Sequence, residues 1–150
     1  MTNKNSEPKK NDKDSIVGVV IITHGKVAEA LLASVELIAG PLKKVIAISV
    51  DSKKGVDRAL KDIRQAIERV DSGSGVLILT DMFGGSASNL SLSFLSEKRI
   101  AVVTGVNLPM LIKLSSYRQG HSLEEIKETI CIYGREKIII ASDLLNKNHL

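Results

Sequence analysis

The chain has no tryptophan and only two phenylalanines and two tyrosines in 150 residues. Any core must therefore be aliphatic. With 43% hydrophobic residues, Val, Ile, Leu and Ala suffice for one domain of ordinary size. A single cysteine, Cys131, rules out an intramolecular disulfide, and no CxxC occurs. Such thiol usage fits a reducing compartment, and Cys131, in an apolar stretch, reads as packing. No apolar run approaches the length of a membrane span, and the N-terminus lacks the apolar segment of a secretory signal. The reading is a cytoplasmic protein with no direct membrane insertion. Arg-rich runs interleaved with aromatics are missing too, so nucleic acid is not expected as a partner. The formal charge of +4 is mild and speaks first to solubility.

Several catalytic signatures are also missing. No GxxxxGK[ST] phosphate loop, no GxSxG elbow and no His/Cys spacing for zinc occurs. Gly73-Ser74-Gly75 precedes an apolar run, whereas a dinucleotide fingerprint follows one. A receiver domain would want acids at the end of the first strand, where Thr23-His24 stands. No cofactor and no metal is expected.

What is present is a regular alternation. Residues 1–15 are polar, with no apolar periodicity, and read as a disordered tail. Residues 16–150 read as one domain. Ile16–Ile22 is a β-branched run predicting a buried strand. Val27, Ala30, Leu31, Ser34, Val35 and Ile38 then recur at helical spacing, stopped by Gly40-Pro41. Val45–Val50 predicts a second strand. Val56, Ala59, Leu60, Ile63, Ala66, Ile67 and Val70 trace a second helix. Val76–Thr80 is a third strand, and a helix follows from Ser86 or Ala87 to about Ser96. Ile100–Thr104 is a fourth strand, and Pro109 opens a fourth helix. Ser122-Leu123-Glu124-Glu125 is a capping box for a last helix, ended by Gly134. Lys137–Ala141 reads as a short fifth strand, at an edge or added to a neighbouring subunit. The pattern predicts an α/β fold with a doubly wound, mostly parallel sheet flanked by helices.

In such sheets ligands bind beyond the carboxyl ends of the strands, where the winding reverses. With strand order 2-1-3-4, strands one and three are neighbours there, and His24 and Asp81 stand at their ends. A carboxylate accepting from Nδ1–H fixes the tautomer and leaves the Nε2 lone pair free to attack phosphorus. It also stabilises the ring cation that results. Thr23, Gly25, Phe83, Gly84, Gly85 and Ser86 surround these two, with helix N-termini and close-approaching glycines to receive a phosphate. Singly, each of these residues could be an ordinary turn or loop residue. His121 and His149 read as such. Leu108, Pro109 and Met110 form either an apolar docking patch or internal packing.

The runs Val19–Gly25, Asp81-Met82-Phe83-Gly84-Gly85-Ser86 with Asn89, and Gly105-Val106-Asn107-Leu108-Pro109-Met110 resemble the mannose-family IIA component of the bacterial sugar phosphotransferase system. The likeness spans about residues 16–145. It implies that His24 is the phosphorylated histidine and Asp81 the acid that hydrogen-bonds it. It further implies a homodimer exchanging its last strand, which suits Lys137–Ala141. The implied phosphoryl donor is the carrier protein HPr, charged from phosphoenolpyruvate by enzyme I. The implied acceptor is a IIB component, expected here as a separate protein because no further domain follows. Two departures stand out: sugar-transporting members commonly have Trp at Phe83 and Pro at Ala87. A stand-alone regulatory IIA protein, the phosphotransfer subunit of dihydroxyacetone kinase and a non-catalytic anion-binding module are the competing readings.

Overall fold

Val19-Val20-Ile21-Ile22 offers apolar side chains to both sides of the pleat, and a strand of that kind needs cover on both faces. The computed structural model describes residues 16–97 and 99–146 and supplies that cover. The stretch 1–15 and His149 lie outside the described residues. Four strands, β1 (Gly18–His24), β2 (Val45–Val50), β3 (Val76–Thr80) and β4 (Ile100–Thr104), form a parallel sheet in the order β2-β1-β3-β4. This is the expected doubly wound arrangement. Among the described residues six α-helices accompany it: α1 (Val27–Ala39), α2 (Val56–Val70), α3 (Ser86–Leu92), α4 (Leu108–Tyr117), α5 (Leu123–Glu136) and α6 (Ala141–Asn146).

The period of two divides the core. Val19 and Ile21 of β1, with Leu77 and Leu79 of β3, pack against α1, α4 and α5 through Val35, Leu111, Ile126 and Ile130. Val20, Ile22, Val76 and Ile78 face the other way, onto Ile63, Ala66, Ile67 and Val70 of α2 and Ala87 of α3. β1 and β3 are thus sandwiched, while β2 and β4 are edges. Gly18 lets β1 lie directly on the end of α2. A β-carbon there would come within 2.7 Å of the Val70 carbonyl oxygen.

Four expectations need correction. β1 is displaced, running from Gly18 to His24 instead of Ile16–Ile22, because backbone pairing continues past the last apolar residue to His24↔Val50. α3 stops at Leu92. Ser91 and Ser93 turn their hydroxyls onto the carbonyls of Ala87 and Leu90, and the chain tightens into three-residue turns through Phe94 and Leu95. Gly134 does not end α5, which continues to Glu136. It serves close packing, since a β-carbon would sit 2.5 Å from Cγ of Met110 on α4. Finally, Lys137–Ala141 is not a strand within this chain. Lys137 closes α5, Ala141 opens α6, and Ile138, Ile139 and Ile140 are 80%, 59% and 68% exposed. A strand needs a neighbour's hydrogen bonds, and this segment pairs with neither edge of its own sheet. The Ser122/Glu125 capping box is formed as read.

At the amino end of the sheet, opposite the carboxyl ends of the strands, Arg118 is buried and acts as a clamp. Its Nη1 donates to the carbonyls of Val17 at 3.0 Å and Lys44 at 3.2 Å, and its Nη2 to that of Lys43 at 2.6 Å. Burial pulls its pKa down to about 10, so it stays charged at neutral pH. Arg118→Leu removes this donor from three carbonyls, of which that of Lys44 keeps the Val19 amide, and is expected to lower stability by about 2–4 kcal/mol, read as a lower urea midpoint. Arg118→Lys should recover only part, because an ammonium lacks the planar fork. A leucine variant as stable as the parent would show that the clamp contributes nothing.

Candidate functional site

The register decides where the chemistry-bearing side chains meet. β1 and β3 pair as far as Ile22↔Thr80, and β1 then runs two residues further, to His24. Asp81 follows Thr80 directly and turns its carboxylate across the gap. Its Oδ2 accepts from the His24 amide at 2.9 Å and from His24 Nδ1 at 2.8 Å. Its Oδ1 accepts from the Met82 amide at 2.9 Å. Residues 57 apart in sequence are thereby joined twice, once through backbone and once through the ring.

Burial alone would raise the Asp81 carboxyl. The bonds from the His24 amide and ring and from the Met82 amide, with the charge of the ring, outweigh it and hold the group below the usual carboxylate range. An ionised carboxylate only accepts, so Nδ1 carries the proton of this pair. In the neutral ring Nε2 then keeps its lone pair, and the Ser86 hydroxyl lies 3.1 Å from it. The side chain of His24 is 43% exposed and that of Asp81 21%. The acid lies deeper, and the ring presents its far nitrogen to the mouth.

The surrounding residues take different parts. Gly25, at φ 53°, makes the sharp exit from β1 towards α1, a conformation glycine adopts at little cost. Thr23 does not line the mouth. It is fully buried, and its hydroxyl accepts from the Ala28 amide at 2.7 Å. It thus caps α1, whose own N-cap residue, Lys26, makes no side-chain cap bond. Gly84, at φ 83°, reverses the chain after β3, and Gly85 precedes Ser86, the first residue of α3. Phe83 is 73% exposed and Met82 56%, so both form a rim beside the ring. Leu108, Pro109 and Met110 are not such a rim. Met110 is in the core with Leu108 packed against it, and Asn107 caps α4 by accepting from the Met110 amide. His121 stacks on Tyr117 with ring centroids 3.9 Å apart and takes no part. The contribution of Met82 through its amide was not legible, since a backbone donor leaves no mark in side-chain identity.

Such an arrangement can serve as an oriented nucleophile: a ring held by a carboxylate at Nδ1, 43% exposed, with a hydroxyl beside Nε2. Among the described residues no group of three or more His, Cys, Asp or Glu is gathered as a metal site, and no helix is long and apolar enough to cross a membrane.

Comparison with known proteins places the chain in a lineage. Residues 18–131 match the family EIIA-man, described as PTS system fructose IIA component. The chain is similar to the PTS system fructose-specific EIIA component of Bacillus subtilis, with 29% identity over 133 residues covering 88% of this chain and 91% of that one. It is 30% identical over 124 residues to the mannose-specific EIIAB component of Escherichia coli, covering 81% of this chain but only 38% of that protein. A solved PTS IIA protein associated with the fucose utilization operon of Streptococcus pneumoniae superposes with a TM-score of 0.74 at 28% identity, over 87% of this chain and 98% of that one. The chain belongs to the EIIA-man family of IIA components, and so to the phosphotransferases of the sugar phosphotransferase system.

Proposed function

We propose that the protein is a phosphohistidine carrier. It accepts a phosphoryl group on Nε2 of His24 from phosphorylated HPr and passes it to a separate IIB-type acceptor for sugar uptake, in the cytoplasm. The observation that carries this reading is the 2.8 Å contact between His24 Nδ1 and Asp81 Oδ2, with Nε2 at the mouth. The Nε2 lone pair attacks phosphorus, and the bond from phosphorus to the donor's nitrogen breaks, its electron pair returning to the donor. The ring then bears both the phosphoryl group and Nδ1–H, and Asp81 stabilises its positive charge. Transfer to the acceptor reverses these steps. Such chemistry is mostly positioning and charge stabilisation. Ser86 and the Gly84-Gly85 backbone receive the phosphoryl oxygens, with Gly25 on the other side, and Thr23 contributes indirectly by capping α1. The exposed Met82 and Phe83 form part of the surface on which both partners dock.

We further propose a homodimer in which residues 137–141 add to the β4 edge of a second copy. Three consecutive exposed isoleucines support this. So does a groove of about 220 Å³ beside β4, lined by Val103, Met110 and Cys131 among others.

Incubation with labelled phosphoenolpyruvate, enzyme I and HPr should give acid-labile, base-stable label on the parent and none on His24→Ala. Asp81→Ala should label about 100-fold more slowly or worse, since the ring loses its orienting acid; equal rates would refute the pairing. A carboxyl held below its unfolded value contributes stability that is present above about pH 4 and lost as the pH falls through its folded value. The stability gap between the parent and Asp81→Asn should therefore be full at pH 7 and narrow below about pH 4 in urea titrations. Ile139→Lys should weaken self-association at least about tenfold in sedimentation, the worth of one buried isoleucine. An unchanged dimer, or a monomeric parent, would remove the exchange.

A further inference from the structure

Gly84 and Gly85 are neighbours, yet they are glycine for different reasons. Gly84 sits at φ 83°, and a β-carbon there would meet nothing within 4 Å; its constraint is conformational. Gly85 has φ −84° and ψ 170°, a backbone conformation open to any residue. Its constraint is space. A β-carbon on Gly85 would lie 2.5 Å from Cε1 and 3.0 Å from Nε2 of His24, well inside van der Waals contact. The next nearest atom, Cγ of Met82, would be at an ordinary 3.5 Å. Among the described residues, what crowds a β-carbon at position 85 is therefore the imidazole itself.

We infer that Gly85 is a positioning residue for His24: its bare α-carbon is the wall against which the Cε1–Nε2 edge of the ring rests. This rests on the carrier reading for its consequence in phosphoryl transfer, but not for its geometry. The ring is then fixed on three sides. Asp81 holds Nδ1, Ser86 lies beside Nε2, and Gly85 sets the tilt between them. A methyl group at position 85 cannot be absorbed by backbone, because the ring is the nearer and more movable body. It must push the ring outwards, lengthening the 2.8 Å bond to Asp81 or the 3.1 Å approach of Ser86.

The test compares Gly85→Ala with Gly18→Ala, a variant that crowds Val70 far from the ring, by nitrogen NMR of the imidazole and by rate of labelling from phospho-HPr. In the parent and in Gly18→Ala the Nδ1–H tautomer should dominate. In Gly85→Ala the tautomers should mix and labelling should fall about 100-fold at equal folded protein, the scale of an ångström-sized misplacement. Should Gly85→Ala fold poorly, the His24→Ala background decides. There the ring is gone, and adding Gly85→Ala should leave the urea midpoint unchanged. A parent-like tautomer and a labelling rate within about twofold in Gly85→Ala would overturn the assignment. So would a Gly85→Ala cost that persists without the ring. An unlabelled parent would refute the carrier reading instead, leaving the tautomer and stability comparisons to judge Gly85.

Discussion

Asp81 accepts three N–H groups, two of them from one residue that lies on another strand, and the site is a consequence of that arrangement. The ring bond alone would orient an imidazole. The amide bond does something different: it ties the last residue of β1 to the first residue past β3, beyond the point where the strands themselves pair. The carboxylate thus closes the sheet at its carboxyl end and holds the ring with the same oxygen. A half-buried group satisfied by three donors is costly to disturb, so the tautomer of His24 is coupled to the integrity of the strand end.

The opposite end of the sheet shows how such an exposed site remains ordered. Arg118 gathers carbonyls from the entries to β1 and β2. β1 is therefore pinned at its start by a buried cation, along its length by two apolar layers and at its end by Asp81. A half-exposed histidine on a rigid strand keeps its geometry better than one on a loop. Thr23 extends this logic by one residue. Its buried hydroxyl caps α1, so the turn through Gly25 is anchored on both sides of the ring.

Where apolar period and backbone pairing coincide, the sequence was a sufficient guide: β2, β3 and β4 have the limits their residues imply, and strand–helix alternation implied a parallel, doubly wound sheet. The order 2-1-3-4 was a premise, which the sheet bears out, and the contact of His24 with Asp81 was legible on that premise, being a matter of topology. Elsewhere the side-chain pattern was not the deciding variable. β1 ends two residues beyond its apolar run because hydrogen bonding continues there. Thr23 has the same composition whether it faces a phosphate or a helix amide, and only the fold turns it inwards. Gly134 looked like a stop signal, yet the close approach of Met110 is what requires it. Ile138–Ile140 has the propensity of a strand, yet neither edge of this sheet pairs with it, and propensity alone makes no strand.

The rim of the site follows from the acid as well. Oδ1 of Asp81 accepts from the amide of Met82, which bends the chain immediately after β3, and Gly84 at φ 83° completes the reversal. Between these two fixed points Met82 and Phe83 project outwards, exposed by 56% and 73%, on the solvent side of a turn whose inner side is occupied by the ring. Neither side chain contributes to the two apolar layers of the core. One carboxylate therefore holds the His24 ring with one oxygen and shapes the adjoining surface with the other. The ring and the surface beside it are geometrically a single unit, because both hang from the same carboxylate.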